Sequence, residues 1–171
     1  MKTLYAPWRE NYTTKSVRGV DELEGNSKNE CVFCEQLKDK NDNKHFILKR
    51  FNHCYIVLNR YPYNGGHLLV LPLEHKAKLS ALSPETRTEI MQVVSDCSIV
   101  LERELGAKGI NIGLNQGKAA GAGIPSHLHF HVLPRWLGDT NFLPIIGQTK
   151  VISVSLNDLF DKLKPHIDKL I

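Results

Sequence analysis

The chain has 171 residues, 42% hydrophobic and 23% charged, the balance of one globular domain long enough to bury a core. No apolar run approaches the roughly 20 residues that span a bilayer, and residues 1–9 lack the apolar stretch of a secretory leader, so a cytoplasmic protein with no membrane partner is expected. The formal charge of +4 is carried by dispersed lysines and arginines, which argues against a nucleic-acid partner, whose surface needs a concentrated basic stripe, and leaves a small anionic ligand open.

Residues 1–30 are polar and irregular, and 20–30 reads as a loop. Cys31-Val32-Phe33-Cys34 has metal-ligand spacing, although one such pair is half a site. Without an export signal, the four cysteines are expected to be thiols or metal ligands rather than disulfides. Two β-branched and aromatic runs, 45–49 and 54–58, are predicted strands, and Cys54 within the second is a core thiol. A turn rich in Pro, Asn and Gly (61–66) leads into a third run, 67–71, closed by Pro72.

Ser83 as N-cap and Pro84 at the first helical position open a helix. Its apolar stripe is Ile90, Val93, Val94, Cys97, Val100 and Leu101, and Gly106 stops it. A strand at 110–114 and a glycine-bearing loop at 115–123 follow. Next comes His127-Leu128-His129-Phe130-His131. On a strand, alternation puts the three imidazoles on one face and Leu128, Phe130 and Val132 on the other, toward a core. Near the end, Ser155 caps a second amphipathic helix with Leu156, Leu159, Phe160, Leu163 and Ile167 on one face. The expected fold is α+β in a single domain, 1–171: an antiparallel sheet of about five strands, two main helices, and a helical extension over 137–171.

A row of imidazoles supports two chemistries. Three histidines can hold a catalytic zinc and leave a position for water, or one ring nitrogen can attack phosphorus and form a covalent intermediate. The loop 117–123 just before the row lets backbone N–H groups approach an anion closely, which suits a phosphate beside a nucleophile.

His127-Leu128-His129-Phe130-His131-Val132-Leu133, together with the upstream Asn59-Arg60-Tyr61-Pro62-Tyr63-Asn64-Gly65-Gly66-His67 and its apolar run, resembles the histidine triad superfamily of nucleotide hydrolases and transferases. The tail, 134–142 and 147–151, and the early Ala6-Pro7-Trp8-Arg9 with Tyr12 look like the branch that contains diadenosine tetraphosphate phosphorylases, near the fragile histidine triad proteins. The resemblance implies that His129 is the nucleophile, attacking the α-phosphorus of a nucleoside polyphosphate to give a nucleotidyl-histidine that water or phosphate releases. His131 matches the residue that contacts the phosphate and leaving oxygen, and His127 is the first triad histidine. Asn59 falls at the ribose-contacting position, Asn115 at the phosphate-contacting amide, and Gly121, Ala122 and Gly123 in the phosphate loop. Trp136 either flanks the nucleotide or covers core. Many hydrolytic members carry Gln and Ser or Thr before the triad; here Gly123-Ile124-Pro125-Ser126 stands instead, which favours the phosphorylase-like branch. Some members bind a structural zinc, and the matching positions are Cys31, Cys34, His75 and His127. No organic cofactor is implied. The expected partners are an AMP-containing substrate and a second copy, the two sheets joining across a two-fold axis. A nucleotide-binding regulator with little turnover and a zinc hydrolase using all three histidines are the alternatives.

Overall fold

The computed structural model describes residues 31–149 and 151–170. The expected irregular segment 1–30, with its loop and its Ala6-Pro7-Trp8-Arg9 and Tyr12 motif, lies outside them. The described residues form one antiparallel sheet of five strands, β1 (Ile47–Arg50), β2 (Cys54–Leu58), β3 (Leu68–Pro72), β4 (Gly109–Leu114) and β5 (Phe130–Arg135), in the order β1-β2-β3-β5-β4. The helices are α1 (Val32–Lys38), α2 (Asp42–His45), α3 (Pro84–Leu105), α4 (Leu143–Ile146) and α5 (Leu156–Ile167). None of them is long and apolar enough to cross a membrane.

The two long helices start where side-chain oxygens take up orphan backbone donors. Ser83 Oγ accepts from Thr86 N and Ser155 Oγ from Asp158 N, both at 3.1 Å. Gly106, at φ 63°, ends α3 in the left-handed region. The α3 stripe is buried as its periodicity predicts, with Thr86 added, and so is the α5 face from Leu159 to Ile167.

Strand alternation divides the interior in two. Ile56, Leu58, Leu68, Val70, Leu128, Phe130 and Val132 face α3 and α5 in the larger core, where Cys54 and Cys97 are fully buried thiols. Ile47, Tyr55, Val57, Leu69 and Leu71 point the other way and pack with Cys31, Phe33 and Cys34 at the start of α1. The second face carries the site, because Leu69 pairs with His131 and shares its side of the sheet. Among the described residues β4, at the outer edge, has partners on one side only, and Ile112 on it is 51% exposed.

Two expectations are corrected. The first strand begins at Ile47, not His45. Asn41 Oδ1 accepts from Lys44 N at 3.1 Å and caps a single helical turn, and Phe46 leaves it at φ 58°. The histidine row is also only partly a strand. Pairing of β3 with β5 ends at Val70–Phe130, so His127 and His129 precede the ladder. Just beyond that point β3 ends in Pro72, which has no N–H to donate, and its carbonyl is taken by the His127 side chain at 3.0 Å.

The turn from β2 to β3 depends on Gly66. Its φ is 82°, and a Cβ there would stand 2.5 Å from Leu105 Cδ1 and 3.3 Å from Pro134 Cγ. Asn64 ties this turn to the one after β5, its Nδ2 donating to Pro134 O (3.1 Å) and Asp139 Oδ2 (2.9 Å). Arg135 closes on Asp139 from two nitrogens at 2.6 and 2.8 Å, holding that carboxyl well below the usual range.

Candidate active site

A cavity of about 440 Å³ opens on the second face, within the range of small-molecule pockets. His129 and His131 form its chemical wall. Asn59, Tyr61 and Tyr63 come from the β2–β3 turn, Asn115, Gly121, Gly123 and Ile124 from the loop after β4, and Phe33 and Leu69 complete it. None of these side chains carries a formal charge at neutral pH, so an anion here would be held by hydrogen-bond donors rather than cations.

The partners of each ring fix its tautomer. His129 Nδ1 lies 2.9 Å from the carbonyl of His127, which can only accept, so Nδ1 carries the proton and Nε2 keeps a lone pair. His67 Nδ1 accepts from the backbone N–H of Tyr63 (3.1 Å) and the Asn59 amide (3.2 Å), so its proton is on Nε2. That Nε2–H donates to His131 Nδ1 at 2.9 Å. His131 is therefore protonated on Nε2, and this N–H is buried with no hydrogen-bond partner among the described residues. A lone-pair nitrogen and an unsatisfied donor are thus carried by two rings that line one cavity, their centroids 5.0 Å apart.

Burial keeps all three rings neutral. It lowers the pKa of His129, against the opposing pull of the His127 carbonyl. Burial and then the neighbouring histidines push His67 down to about 3, and burial with His129 pushes His131 down to about 4.

His127 does not line the cavity. It is fully buried, and its ligand atom joins those of Cys31, Cys34 and His75 in a group whose members all lie within 4.8 Å of one another. Its Nδ1 is 3.5 Å from Cys31 Sγ and 3.6 Å from Cys34 Sγ, and His75 Nδ1 is 3.3 Å from Cys34 Sγ. Metal–sulfur bonds of about 2.3 Å and metal–nitrogen bonds of about 2.0 Å at tetrahedral angles give ligand separations of roughly 3.3–3.8 Å, so these four residues could hold a metal ion. The Nε2–H of His127 donates to Pro72 O and leaves Nδ1 as the ligand atom, the outer hydrogen bond that ligating histidines ordinarily make. With both ring nitrogens engaged, His127 has none to offer a site shared with His129 and His131, which argues against a catalytic metal on all three.

Asn59 lines the cavity and also turns the chain, its Oδ1 accepting from Tyr61 N at 3.0 Å. Asn115 lines it with Nδ2 3.5 Å from Gly121 O, and Gly121, also in the wall, takes φ 85°. Ala122 is buried and is not part of the wall. Trp136 is not in the cavity wall; its indole N–H donates to Leu105 O at the end of α3, at 3.2 Å. His67, Tyr63 and Phe33 are among the site residues that motif reading did not single out. The available signal was a histidine opening a run of wholly buried apolar residues directly after two glycines.

The fold and the site define a small α+β protein with a histidine pair in the wall of a small-molecule-sized cavity and a separate Cys/His cluster. The HIT domain family matches residues 40–136, and the chain belongs to it, as an enzyme of that family. Among its relatives is a protein named AP-4-A phosphorylase from Mycobacterium tuberculosis, 35% identical over 158 residues, covering 92% of this chain and 80% of that one. The asymmetrical bis(5'-nucleosyl)-tetraphosphatase of Schizosaccharomyces pombe is 34% identical over 82 residues, 48% of this chain and 44% of that one. The solved structure of a zinc-bound histidine triad family protein from Mycobacterium smegmatis superposes with a TM-score of 0.69 at 25% identity, covering 84% of this chain and 96% of that one.

Proposed function

We propose that the protein cleaves diadenosine polyphosphates, diadenosine tetraphosphate among them, through a nucleotidyl-histidine, with inorganic phosphate as the acceptor that completes turnover. The observation that carries this reading is the tautomer pattern on two rings that line one cavity: His129 Nε2 holds a lone pair, while His131 Nε2–H is a buried donor with no partner among the described residues. His129 Nε2 attacks the α-phosphorus, a nitrogen–phosphorus bond forms, and the bond to the bridging oxygen breaks. His131 Nε2–H gives that oxygen a hydrogen bond as charge builds on it, and the outgoing nucleotide leaves as an anion. A phosphate oxygen then displaces His129 from phosphorus, giving ADP and restoring the lone pair. Neutral rings serve both steps, since a protonated His129 has no lone pair to use.

The relatives named for AP-4-A phosphorolysis and for tetraphosphate cleavage support the substrate class. Incubation with diadenosine tetraphosphate, with and without phosphate, tests it. ADP and ATP appearing only with phosphate are expected. AMP and ATP without phosphate would replace phosphorolysis by hydrolysis, and no turnover of any adenylylated compound, with tight AMP binding, would make the protein a nucleotide-binding regulator.

We propose further that the metal held by Cys31, Cys34, His75 and His127 is zinc, a reading supported by the donor set and its spacing. The half-paired edge strand β4 supports a homodimer with sheets joined edge to edge.

A further inference from the structure

The metal-ligand cluster and the cavity meet at two points. His127 turns its Nδ1 toward the sulfurs of Cys31 and Cys34, at 3.5 and 3.6 Å, while its backbone carbonyl holds the Nδ1–H of His129 at 2.9 Å. Phe33 stands between the two cysteines in the chain, lines the cavity, and sets its ring 5.5 Å from both His127 (75° between planes) and His129 (54°). The backbone here is not secured by the sheet, because the β3–β5 ladder stops at Phe130. It is held by a long bond from His127 N to Ile124 O (3.4 Å) and by Leu128 N to Lys76 O (2.7 Å), next to the ligand His75.

We infer that the Cys31, Cys34, His75 and His127 cluster positions the nucleophile when it holds its metal, through the His127 carbonyl and the ring of Phe33. The ligands come from three separate stretches, the start of α1, the segment after β3 and the approach to β5. Clamping them together fixes the His127 peptide whose carbonyl selects the His129 tautomer, and presses Phe33 against the His129 ring. The two tautomers of a neutral imidazole differ little by themselves, so the hydrogen-bond partner decides which is populated. Without the clamp, His127 loses its ligand role, its peptide is left to the bonds from Leu128 N to Lys76 O and from its ring to Pro72 O, and the carbonyl can shift enough that both His129 tautomers become accessible. Phe33 is thus a positioning residue. The inference rests on the reading of His129 as nucleophile for its effect on turnover but not for its effect on the ring.

The test uses the full chain labelled with 15N at histidine, loaded with zinc and then stripped by chelator under reducing conditions, alongside zinc-loaded Phe33→Ala and Phe33→Leu. Circular dichroism identifies which samples stay folded. In the loaded protein His129 is expected to show one pyrrole-type and one pyridine-type nitrogen. In folded stripped protein and in Phe33→Ala with its metal retained, the two shifts move toward each other. In those samples kcat falls about 10-fold while KM stays within about threefold, and Phe33→Leu recovers most of both signals. A single unshifted tautomer with unchanged kcat in folded stripped protein, or in metal-replete Phe33→Ala, would overturn the inference. If stripping unfolds the chain, the Phe33 pair decides alone. Full activity in His129→Ala would instead sink the nucleophile reading, and the nitrogen shifts, which need no turnover, would still decide this one.

Discussion

Two neighbouring histidines are made chemically different by what their second nitrogens touch. His129 is pinned by a carbonyl and left with a lone pair; His131 is pinned by another histidine and left with a proton. His129→Ala is therefore expected to lower kcat by a factor on the order of 10³ or more, as loss of an essential nucleophile does. His131→Ala removes a donor to the leaving oxygen and the acceptor of His67 Nε2–H, and is expected to cost about 10²-fold in kcat. Both are read from product formation with purified variants whose melting temperatures match the parent. Equal losses would contradict the division of labour.

At the scale of elements, the β2–β3 turn delivers His67 to His131, and its shape depends on Gly66. Gly66→Ala adds a Cβ where Leu105 already stands and forces an L side chain into φ 82°. Strain and overpacking together are expected to cost about 2–4 kcal/mol, measured by urea denaturation. Ser83→Ala, which removes the oxygen that accepts from Thr86 N, is expected to cost about 1 kcal/mol by the same assay without touching turnover. A Gly66 variant as stable as the parent would show that α3 yields at Leu105.

For the whole molecule, buried neutral histidines tie stability to pH. An unfolded histidine takes up its proton near pH 6.5, whereas folded His67 and His131 resist until about 3 and about 4. Between those limits the unfolded chain binds more protons, so the folding free energy is full above about pH 6.5 and declines as pH falls, by up to about 1.4 kcal/mol per pH unit for each such histidine. Urea midpoints measured from pH 7 to 4.5 are expected to fall steadily, and a flat profile would contradict the burial of these rings. The metal cluster joins α1 to the start of β5. Chelation under reducing conditions is expected to lower Tm by about 10 °C, the shift that an ion held well above its dissociation constant supplies. Native mass spectrometry of the untagged protein is expected to show one zinc per chain.

Local signals in the sequence were enough for the two long helices and, within a few residues, for the five strands, but not for the short helices α1, α2 and α4. The caps at Ser83 and Ser155, the helical stripes and the alternation of Leu128, Phe130 and Val132 each arise from neighbours in the chain, and all reappear in the structure. His129 and the four residues that could hold a metal were singled out too, as motif resemblance and ligand type rather than as geometry. The division of the triad was not. Equal spacing treats His127, His129 and His131 alike, but the ladder ends at Phe130 and turns His127 toward sulfurs that lie more than ninety residues earlier. Nor could spacing foresee that the indole N–H of Trp136 donates to Leu105 O at the end of α3. Sequence by itself determined which side chains were present at which periodicity, because helix and strand geometry follow from local backbone rules. Only tertiary structure decided which nitrogen of each imidazole keeps its proton, because that depends on acceptors brought in from distant strands and turns.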